Sequence, residues 1–267
     1  TCALPISFTS TPTKVYDRTD TASVTSAMVT ASSGFVGGDR NAAFTITGAT
    51  YASRNVGNGQ LISFATAPTV VVQTSVATGS KPAYGYQISG LGSLSGNITP
   101  LALTLTGVTA ANKVYDRSVT AVVSGGSVTP ISGDTVTVDA SSAAGNFANW
   151  NVGTAKAVTA SGYALTGADA GNYALTQPTG LTADITALSL AVTGVTAANK
   201  TYDRNVTANL SGGAIAPITG DVVTLDTSSA AGSFANWNVG TAKAVTASGY
   251  ALTGADAANY AILQPTG

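Results

Sequence analysis

Short stretches in which apolar and polar residues alternate recur along the chain, and residues 134–139 (DTVTVD) are the clearest of them. A period of two is typical of a β-strand that buries one face, so Val136 and Val138 are expected on the same face. Clusters of turn-forming residues separate such stretches at intervals of roughly 8–12 residues. The pattern predicts six or seven short strands within residues 101–187, with a tight turn at residues 170–172.

Many short strands with regular turns are typical of a β-sandwich, so we predict an all-β fold built from antiparallel, Ig-like sandwiches. A β-grasp-like sheet is the alternative, because a short helix could form near residues 140–144. Strand propensity does not separate these two architectures.

The chain repeats itself. Residues 101–180 recur as residues 188–267 with few changes, and the offset is 87 residues (200 − 113 for Lys200 and Lys113). A diverged copy begins near residues 14–18 (KVYDR). A period this long suits a small domain rather than a solenoid repeat. We predict three tandem β domains, called repeats one, two and three below: residues 1–100, 101–187 and 188–267. Repeat three is expected to lack its final strand, the counterpart of residues 181–186.

The first seven residues, Thr1 to Ser7, match neither the repeat nor the local composition. Their Ala-Leu-Pro-Ile segment can be encoded by a common sequencing-adapter end. One hypothesis is therefore that residues 1–7 are an artefact, which would include Cys2, and the other is a genuine linker.

Composition excludes several classes of protein. The chain has no His, one Cys, 9% charged residues and a net charge of -1. Histidine-based catalysis, cysteine zinc sites and intramolecular disulfides are therefore excluded. Without a basic excess, no nucleic-acid partner is expected. No apolar run reaches the length of about 18 residues that a membrane helix needs, so no membrane insertion is predicted.

The acidic residues do not form a recognisable catalytic or metal-binding motif. Asp116 and Asp203 follow a Tyr in equivalent positions, where each could cap a local turn, pair with the adjacent Arg or bind Ca²⁺. We interpret them as Asx-turn residues. Calcium needs six to eight oxygen ligands, and no calcium-loop motif is present, so no cofactor is predicted and Ca²⁺ is the one metal considered.

Two Lys positions raise the possibility of a covalent crosslink. Lys113 and Lys156 recur in both full copies, and a buried Lys can form an isopeptide bond with Asn. A solvated or snorkelling Lys is the simpler interpretation.

Each full copy carries five aromatic residues, which we expect to fill its core: Tyr115, Phe147, Trp150, Tyr163 and Tyr173 in repeat two. The alternative is that the tryptophan loops bind a ligand, since an aromatic ring flanked by Asn suits a carbohydrate. The candidate binding residues are Trp150, Asn151, Trp237 and Asn238. No catalytic residues are predicted, and an enzyme is not expected.

Residues 113–117 (KVYDR), preceded by Ala-Ala-Asn, resemble the motif of the YDG-type repeat, as does the later segment 172–186 (NYALTQPTGLTADIT). Such repeats occur in tandem in large bacterial surface and secreted adhesins, including filamentous-haemagglutinin-like exoproteins. The resemblance implies stalk or spacer modules outside the cell or on its surface. It implies the neighbouring repeats as partners, with host or matrix glycans or proteins contacted by other parts of the full protein.

One position departs from the family pattern. Arg18, Arg117 and Arg204 stand where a Gly usually follows Tyr-Asp. Because a left-handed backbone strains a residue with a side chain, we expect no tight left-handed turn here.

Overall fold

A computed structural model describes residues 2–31, 42–72, 86–89 and 94–265. These residues form short strands and three single 3-10 turns, at Ser26–Met28, Ala170–Asn172 and Ala257–Asn259. The all-β prediction is therefore confirmed. The helix considered near residues 140–144 is wrong, because Ala143 donates its N–H to the Ala140 carbonyl in a turn and the chain then enters a strand.

The strands follow one another with short connections in each repeat. Repeat one contains β1 (Cys2–Phe8), β2 (Thr13–Val15), β3 (Val29–Ala31), β4 (Ala42–Thr45), β5 (Ala49–Tyr51), β6 (Gly57–Phe64), β7 (Thr69–Val72), β8 (Tyr86–Ser89) and β9 (Ser95–Thr99). Repeat two contains β10 (Leu101–Thr104), β11 (Thr106–Ala110), β12 (Lys113–Val114), β13 (Thr120–Ala121), β14 (Val123–Ser127), β15 (Thr137–Asp139), β16 (Ala144–Phe147), β17 (Gly153–Ser161), β18 (Ala164–Thr166), β19 (Tyr173–Thr176) and β20 (Leu181–Thr186). Repeat three contains β21 (Leu188–Ala191), β22 (Thr193–Ala197), β23 (Thr207–Ala208), β24 (Leu210–Ala214), β25 (Thr224–Asp226), β26 (Ala231–Phe234), β27 (Val245–Ser248), β28 (Ala251–Thr253) and β29 (Tyr260–Leu263).

Equivalent sheets occur in repeats one and two. Their strand orders are β2-β9-β6-β5 and β12-β20-β17-β16-β13. In both sheets the closing strand, β9 or β20, runs parallel to the short strand beside it and antiparallel to the long one. The sheets are thus mixed, and the parallel pairs are a feature that the strand pattern did not predict.

Smaller strand pairs complete the fold. In repeat two, β10 pairs with β19 in parallel and β15 with β18 antiparallel. Repeat three has the same two pairs, β21 with β29 and β25 with β28. The described sheet of repeat three that corresponds to the larger sheets has the order β23-β26-β27.

The chain forms two compact units, and their limits differ from those of the repeats. The first unit comprises Thr1–Thr106, Ser127–Asp139 and Tyr163–Thr176, and the second comprises Gly107–Gly126, Ala140–Gly162 and Gln177–Gly267. Repeat two thus contributes one part to each unit. The expectation that each repeat encloses its own core does not hold, because the two main cores each draw on successive repeats.

The core of the first unit joins repeat one to part of repeat two. Tyr16, Tyr51 and Ile98 are buried there beside Leu103, Val136 and Tyr173 of repeat two. The rings of Tyr16 and Tyr173 pack edge to face, with centroids 5.4 Å apart.

The main core of the second unit is built in the same way from repeats two and three. Tyr115, Phe147 and Ile185 of repeat two are buried with Leu190 and Tyr260 of repeat three. The rings of Tyr115 and Tyr260 pack edge to face at 5.5 Å. Each successive repeat therefore completes the core of the one before it.

Candidate functional site at the repeat junctions

The Tyr-Asp-Arg motif forms the same turn in all three repeats. The Asp side chain accepts a backbone N–H from the second residue after it: Thr19 for Asp17, Ser118 for Asp116 and Asn205 for Asp203, each at 2.9 Å. This is the predicted Asx-turn, which is confirmed. The preceding Lys also pairs with each Asp, at 2.6 Å, 2.6 Å and 2.8 Å in chain order.

The arginine of the motif adopts a left-handed backbone. The φ angles are +68° at Arg18, +62° at Arg117 and +59° at Arg204. The expectation that Arg would prevent such a turn is therefore wrong. A non-glycine residue in this region is strained by about 1–2 kcal/mol, and at Arg18 and Arg117 the interactions of the guanidinium offset this strain.

Those interactions come from the following repeat. We call the first contact the Asp134 junction, formed by Tyr16, Arg18, Gly133, Asp134 and Tyr173. The Tyr16 and Tyr173 hydroxyls both donate to Oδ2 of Asp134, at 2.8 Å and 2.7 Å. Nε of Arg18 lies 3.0 Å from Oδ1 of the same carboxylate. The two terminal nitrogens of Arg18 donate to the carbonyls of Ser132 and Gly133, at 2.6 Å and 3.0 Å.

An equivalent contact, the Asp221 junction, joins repeat two to repeat three. Tyr115 and Tyr260 donate to Oδ2 of Asp221 at 2.9 Å and 2.5 Å. Nε of Arg117 lies 2.8 Å from Oδ1, and the guanidinium also donates to the carbonyls of Thr219 and Gly220, both at 3.0 Å. The Asp134 and Asp221 side chains are 0% and 1% exposed. Each buried carboxylate therefore has one charged and two phenolic partners.

A glycine precedes each of these carboxylates for a steric reason. Gly133 and Gly220 have φ angles of +91° and +95°, and a Cβ on either would collide with Nη1 of Arg18 or Arg117. The turn can approach the guanidinium this closely only without a side chain.

A buried Asn forms a second polar contact at each junction. Oδ1 of Asn172 accepts the N–H of Val56 at 2.8 Å, and Oδ1 of Asn259 accepts the N–H of Val152 at 2.9 Å. Both Asn residues are buried and each directly precedes the junction Tyr of its repeat. The loop that carries Val152 is the predicted ligand-binding loop Asn149–Val152, so this loop takes part in the junction.

The tryptophans themselves are not core residues. Trp150 is 44% exposed and Trp237 is 58% exposed, so the prediction that Trp150 fills the core is wrong. It is confirmed for the other four aromatic residues of repeat two, which are buried: Tyr115, Phe147, Tyr163 and Tyr173. In repeat three it is confirmed for the buried Tyr250 and Tyr260 and is wrong for the exposed Tyr202 and Trp237.

The Asn residues around the tryptophans are engaged within the protein. Oδ1 of Asn149 accepts the Asn151 N–H at 3.1 Å and Nζ of Lys156 at 2.6 Å. Oδ1 of Asn151 accepts from Asn259 at 3.4 Å. In repeat three, the N–H of Asn238 bonds to the side chain of Asn236 at 3.0 Å. A ligand at Trp150 would therefore meet amide groups that already have partners.

One known family matches the chain, in three segments that lie on these repeats. The family model of the YDG domain matches residues 2–83, 99–180 and 186–267. The chain belongs to the YDG domain family. It therefore contains three YDG domains in tandem. Neither the curated proteins nor the solved structures contain a match to the chain.

The carboxyl of Asp134 is held in its charged form. Burial raises the pKa of the Asp134 carboxyl, but the hydrogen bonds from Tyr173 and Tyr16 and the charge of Arg18 outweigh it, so that this pKa lies below its ordinary value. Burial, followed by the hydrogen bond to Asp134, raises the pKa of Tyr16 to about 12. The phenols thus remain protonated donors and the carboxylate remains an acceptor.

Other candidate chemistry is limited in the described part of the YDG repeats. Within the described ranges, no group of three or more Cys or Asp side chains is placed to hold a metal ion. Of the two crosslink candidates, Lys113 donates to the carbonyls of Ser118 and Thr120 at 2.9 Å and 3.2 Å, and Lys156 donates to Oδ1 of Asn149 at 2.6 Å. No helix among the described residues has the length and apolarity to cross a membrane.

Proposed function

We propose that these YDG domains are structural spacer or stalk repeats of a large bacterial cell-surface or secreted adhesin, and that they carry out no catalysis. The observation that supports this most directly is the recurrence of one junction. The same Tyr, Arg, Asp and Tyr meet in the same geometry at Asp134 and at Asp221. A motif that repeats one and two both use to hold the next repeat suits a protein whose task is to extend.

The partners of the motif side chains also favour this role. The junction carboxylates, Asp134 and Asp221, are buried and paired within the protein. The remaining motif Asp residues cap turns. The polar groups of the motif thus stabilise the connection between repeats, and a spacer needs that connection to resist bending and unfolding.

Surface display of the full chain tests this proposal. The chain is placed between an anchor and a fluorescent epitope, and the height of the epitope above the surface is measured. A spacer gives a narrow height distribution, and the D134N/D221N double variant broadens it. The proposal is overturned if the unmodified chain gives a distribution as broad as a Gly/Ser linker of equal length.

A carbohydrate- or protein-binding role is the second candidate, and the exposure of Trp150 and Trp237 favours it. Each indole projects from a loop that backbone and side-chain hydrogen bonds hold in place. A glycan array probed with the full chain tests this role. Saturable binding that the W150A/W237A variant loses would establish a binding module, whereas binding unchanged in that variant would exclude the tryptophan loops.

A further inference from the structure

Repeat three presents the same junction residues as the other repeats, but nothing covers them among the described residues. Tyr202 is the counterpart of Tyr16 and Tyr115. It is 53% exposed, whereas Tyr16 is 1% and Tyr115 2% exposed. Arg204 is likewise exposed, and no described residue pairs with its guanidinium.

The uncovered turn already has the bound conformation. Arg204 has a φ of +59°, close to the +62° of Arg117. Asp203 caps the turn through the N–H of Asn205 at 2.9 Å, as Asp116 does in repeat two. Because the turn is formed without a partner, docking does not require it to reorganise, and the strain at Arg204 is present with no guanidinium contact to offset it.

The second half of the surface is also uncovered. Val239 corresponds to Val152, whose N–H is bound by the buried Asn259 of the next repeat. Val239 is 87% exposed, and the neighbouring Trp237 is more exposed than Trp150. The loop is nevertheless ordered by the bond between Asn238 and Asn236.

We propose that Tyr202, Arg204, Asn238 and Val239 form an acceptor surface for one further YDG repeat, joined in tandem to repeat three. The group that binds is a Gly-Asp turn together with a buried Asn-Tyr pair. Within repeat three these are Gly220, Asp221, Asn259 and Tyr260, which bind repeat two in the same way. This inference concerns how repeats connect and does not depend on the spacer role.

The chemistry of the surface selects a YDG repeat over a simple acidic ligand. A free carboxylate could pair with Arg204, but it would leave the Tyr202 ring and Val239 exposed. At the Asp221 junction, the carboxylate, the carbonyls of the turn, the packed ring of Tyr260 and the amide of Asn259 act together. A folded repeat presents all four groups at the correct spacing.

Extension of the chain tests the proposal. Residues 181–267 are appended after residue 267, which adds one period of 87 residues and supplies the counterpart of β20. The appended counterpart of Tyr202 is changed to Phe, because its peptide would otherwise be identical to that of Tyr202. Tyrosine nitration is then quantified by peptide mass spectrometry. In the unextended chain Tyr202 reacts and Tyr16 and Tyr115 do not. In the extended chain the reactivity of Tyr202 falls by about the ratio of the exposed fractions, 53% to 2%, or roughly 25-fold, if the surface does not open locally.

Two variants make the test specific. In the first, only the appended counterpart of Asp221 is changed to Asn, and the reactivity of Tyr202 should rise again. In the second, R204A should reduce the protection of Tyr202 in the extended chain. Nitration of the appended counterpart of Tyr250, a core residue, reports whether the added repeat is folded.

Two results would overturn the proposal. One is full reactivity of Tyr202 in the extended chain while the appended core Tyr is protected. The other is protection of Tyr202 in the unextended chain that increases with protein concentration, which would assign the surface to a second copy of the chain instead of a tandem repeat.

Discussion

The hydroxyl of Tyr16 donates a 2.8 Å hydrogen bond to Asp134, a residue 118 positions further along the chain. Tyr115 and Asp221, separated by 106 positions, make the same bond at 2.9 Å. In both cases the phenol belongs to one YDG domain and the carboxylate to the next. The family motif therefore acts between domains, and its effect can be tested by comparing repeats in which the partner is present or absent.

Removal of the phenol hydroxyl should lower the free energy of unfolding in repeat two and leave it nearly unchanged in repeat three. Y115F loses a hydrogen bond to a buried carboxylate, so we expect the free energy of unfolding to fall by about 1.5–2 kcal/mol. The matched variant Y202F should change it by less than about 0.5 kcal/mol, because Tyr202 is exposed. Urea unfolding followed by tryptophan fluorescence is suitable, since Trp150 and Trp237 both lie in the second unit. Equal effects of the two variants would contradict the role of the junction.

Replacement of the left-handed Arg by Gly should have opposite effects at two equivalent positions. R204G relieves backbone strain at a residue without a partner, and we expect a gain of about 0.5 kcal/mol. R117G relieves the same strain but loses the contacts with Asp221, Thr219 and Gly220, and we expect a net loss of about 1–2 kcal/mol. The urea midpoints of the two variants measure this. An equal gain of stability in both variants would show that the guanidinium contacts contribute nothing.

The glycine before the junction carboxylate should not tolerate a methyl group. G220A introduces both left-handed strain and a collision with Arg117, and we expect a loss of about 2–3 kcal/mol. Gly194 also has a positive φ, +71°, but a Cβ there would meet nothing within 4 Å. G194A should therefore cost only about 1 kcal/mol. Thermal unfolding of the two variants separates the collision from the strain, and equal melting temperatures would exclude the collision.

Acid should weaken the first unit through Asp134. The pKa of this carboxyl lies below its ordinary value in the folded protein, so its stabilising effect is complete above the unfolded pKa near 4 and is lost as the pH falls through the folded pKa. D134N should be less stable than the unmodified chain at pH 7 and should lose less stability between pH 5 and pH 2. Urea unfolding across this range, with D20N at an exposed position as the control, provides the measurement. Parallel pH profiles for D134N and the unmodified chain would contradict the prediction.

Alkali should weaken the same junction through Tyr16. Its pKa is raised from 10.0 to about 12, so the stabilisation that it provides is complete below pH 10 and is lost as the pH rises toward 12. Y16F cannot ionise at this position and should show a smaller decrease in stability over that interval. Stability curves collected at pH 9, 10 and 11 test this, and an identical decrease in both proteins would show that Tyr16 ionises as freely in the folded state as in the unfolded state.

Local structure followed from the sequence to a large extent. The turn predicted at residues 170–172 is the 3-10 turn Ala170–Asn172, and the strand predicted after it is β19. The strand predicted at residues 134–139 is present only from Thr137 to Asp139, with Val136 buried as expected. These features depend on neighbouring residues, which alternation and turn propensity report directly.

The junctions did not follow from the sequence. Alternation shows which face of a strand is buried but not which element covers it. The contribution of one repeat to the core of another could therefore not be predicted. Asp134 stands at the end of an alternating stretch, where a solvated carboxylate is the ordinary expectation. The available signal was the Arg at positions 18, 117 and 204, where a Gly usually follows Tyr-Asp.

Repeat two carries residues of two junctions, one with the repeat before it and one with the repeat after it. Repeat two offers Tyr115 and Arg117 to its successor and Asp134 to its predecessor. Recombination between misaligned copies in the gene would add or delete whole periods of 87 residues, and every remaining Tyr-Asp-Arg turn that precedes another domain would still face a matching carboxylate. A crossover point anywhere within the period gives the same result. The number of domains can therefore change in a single genetic event without leaving a buried charge unpaired.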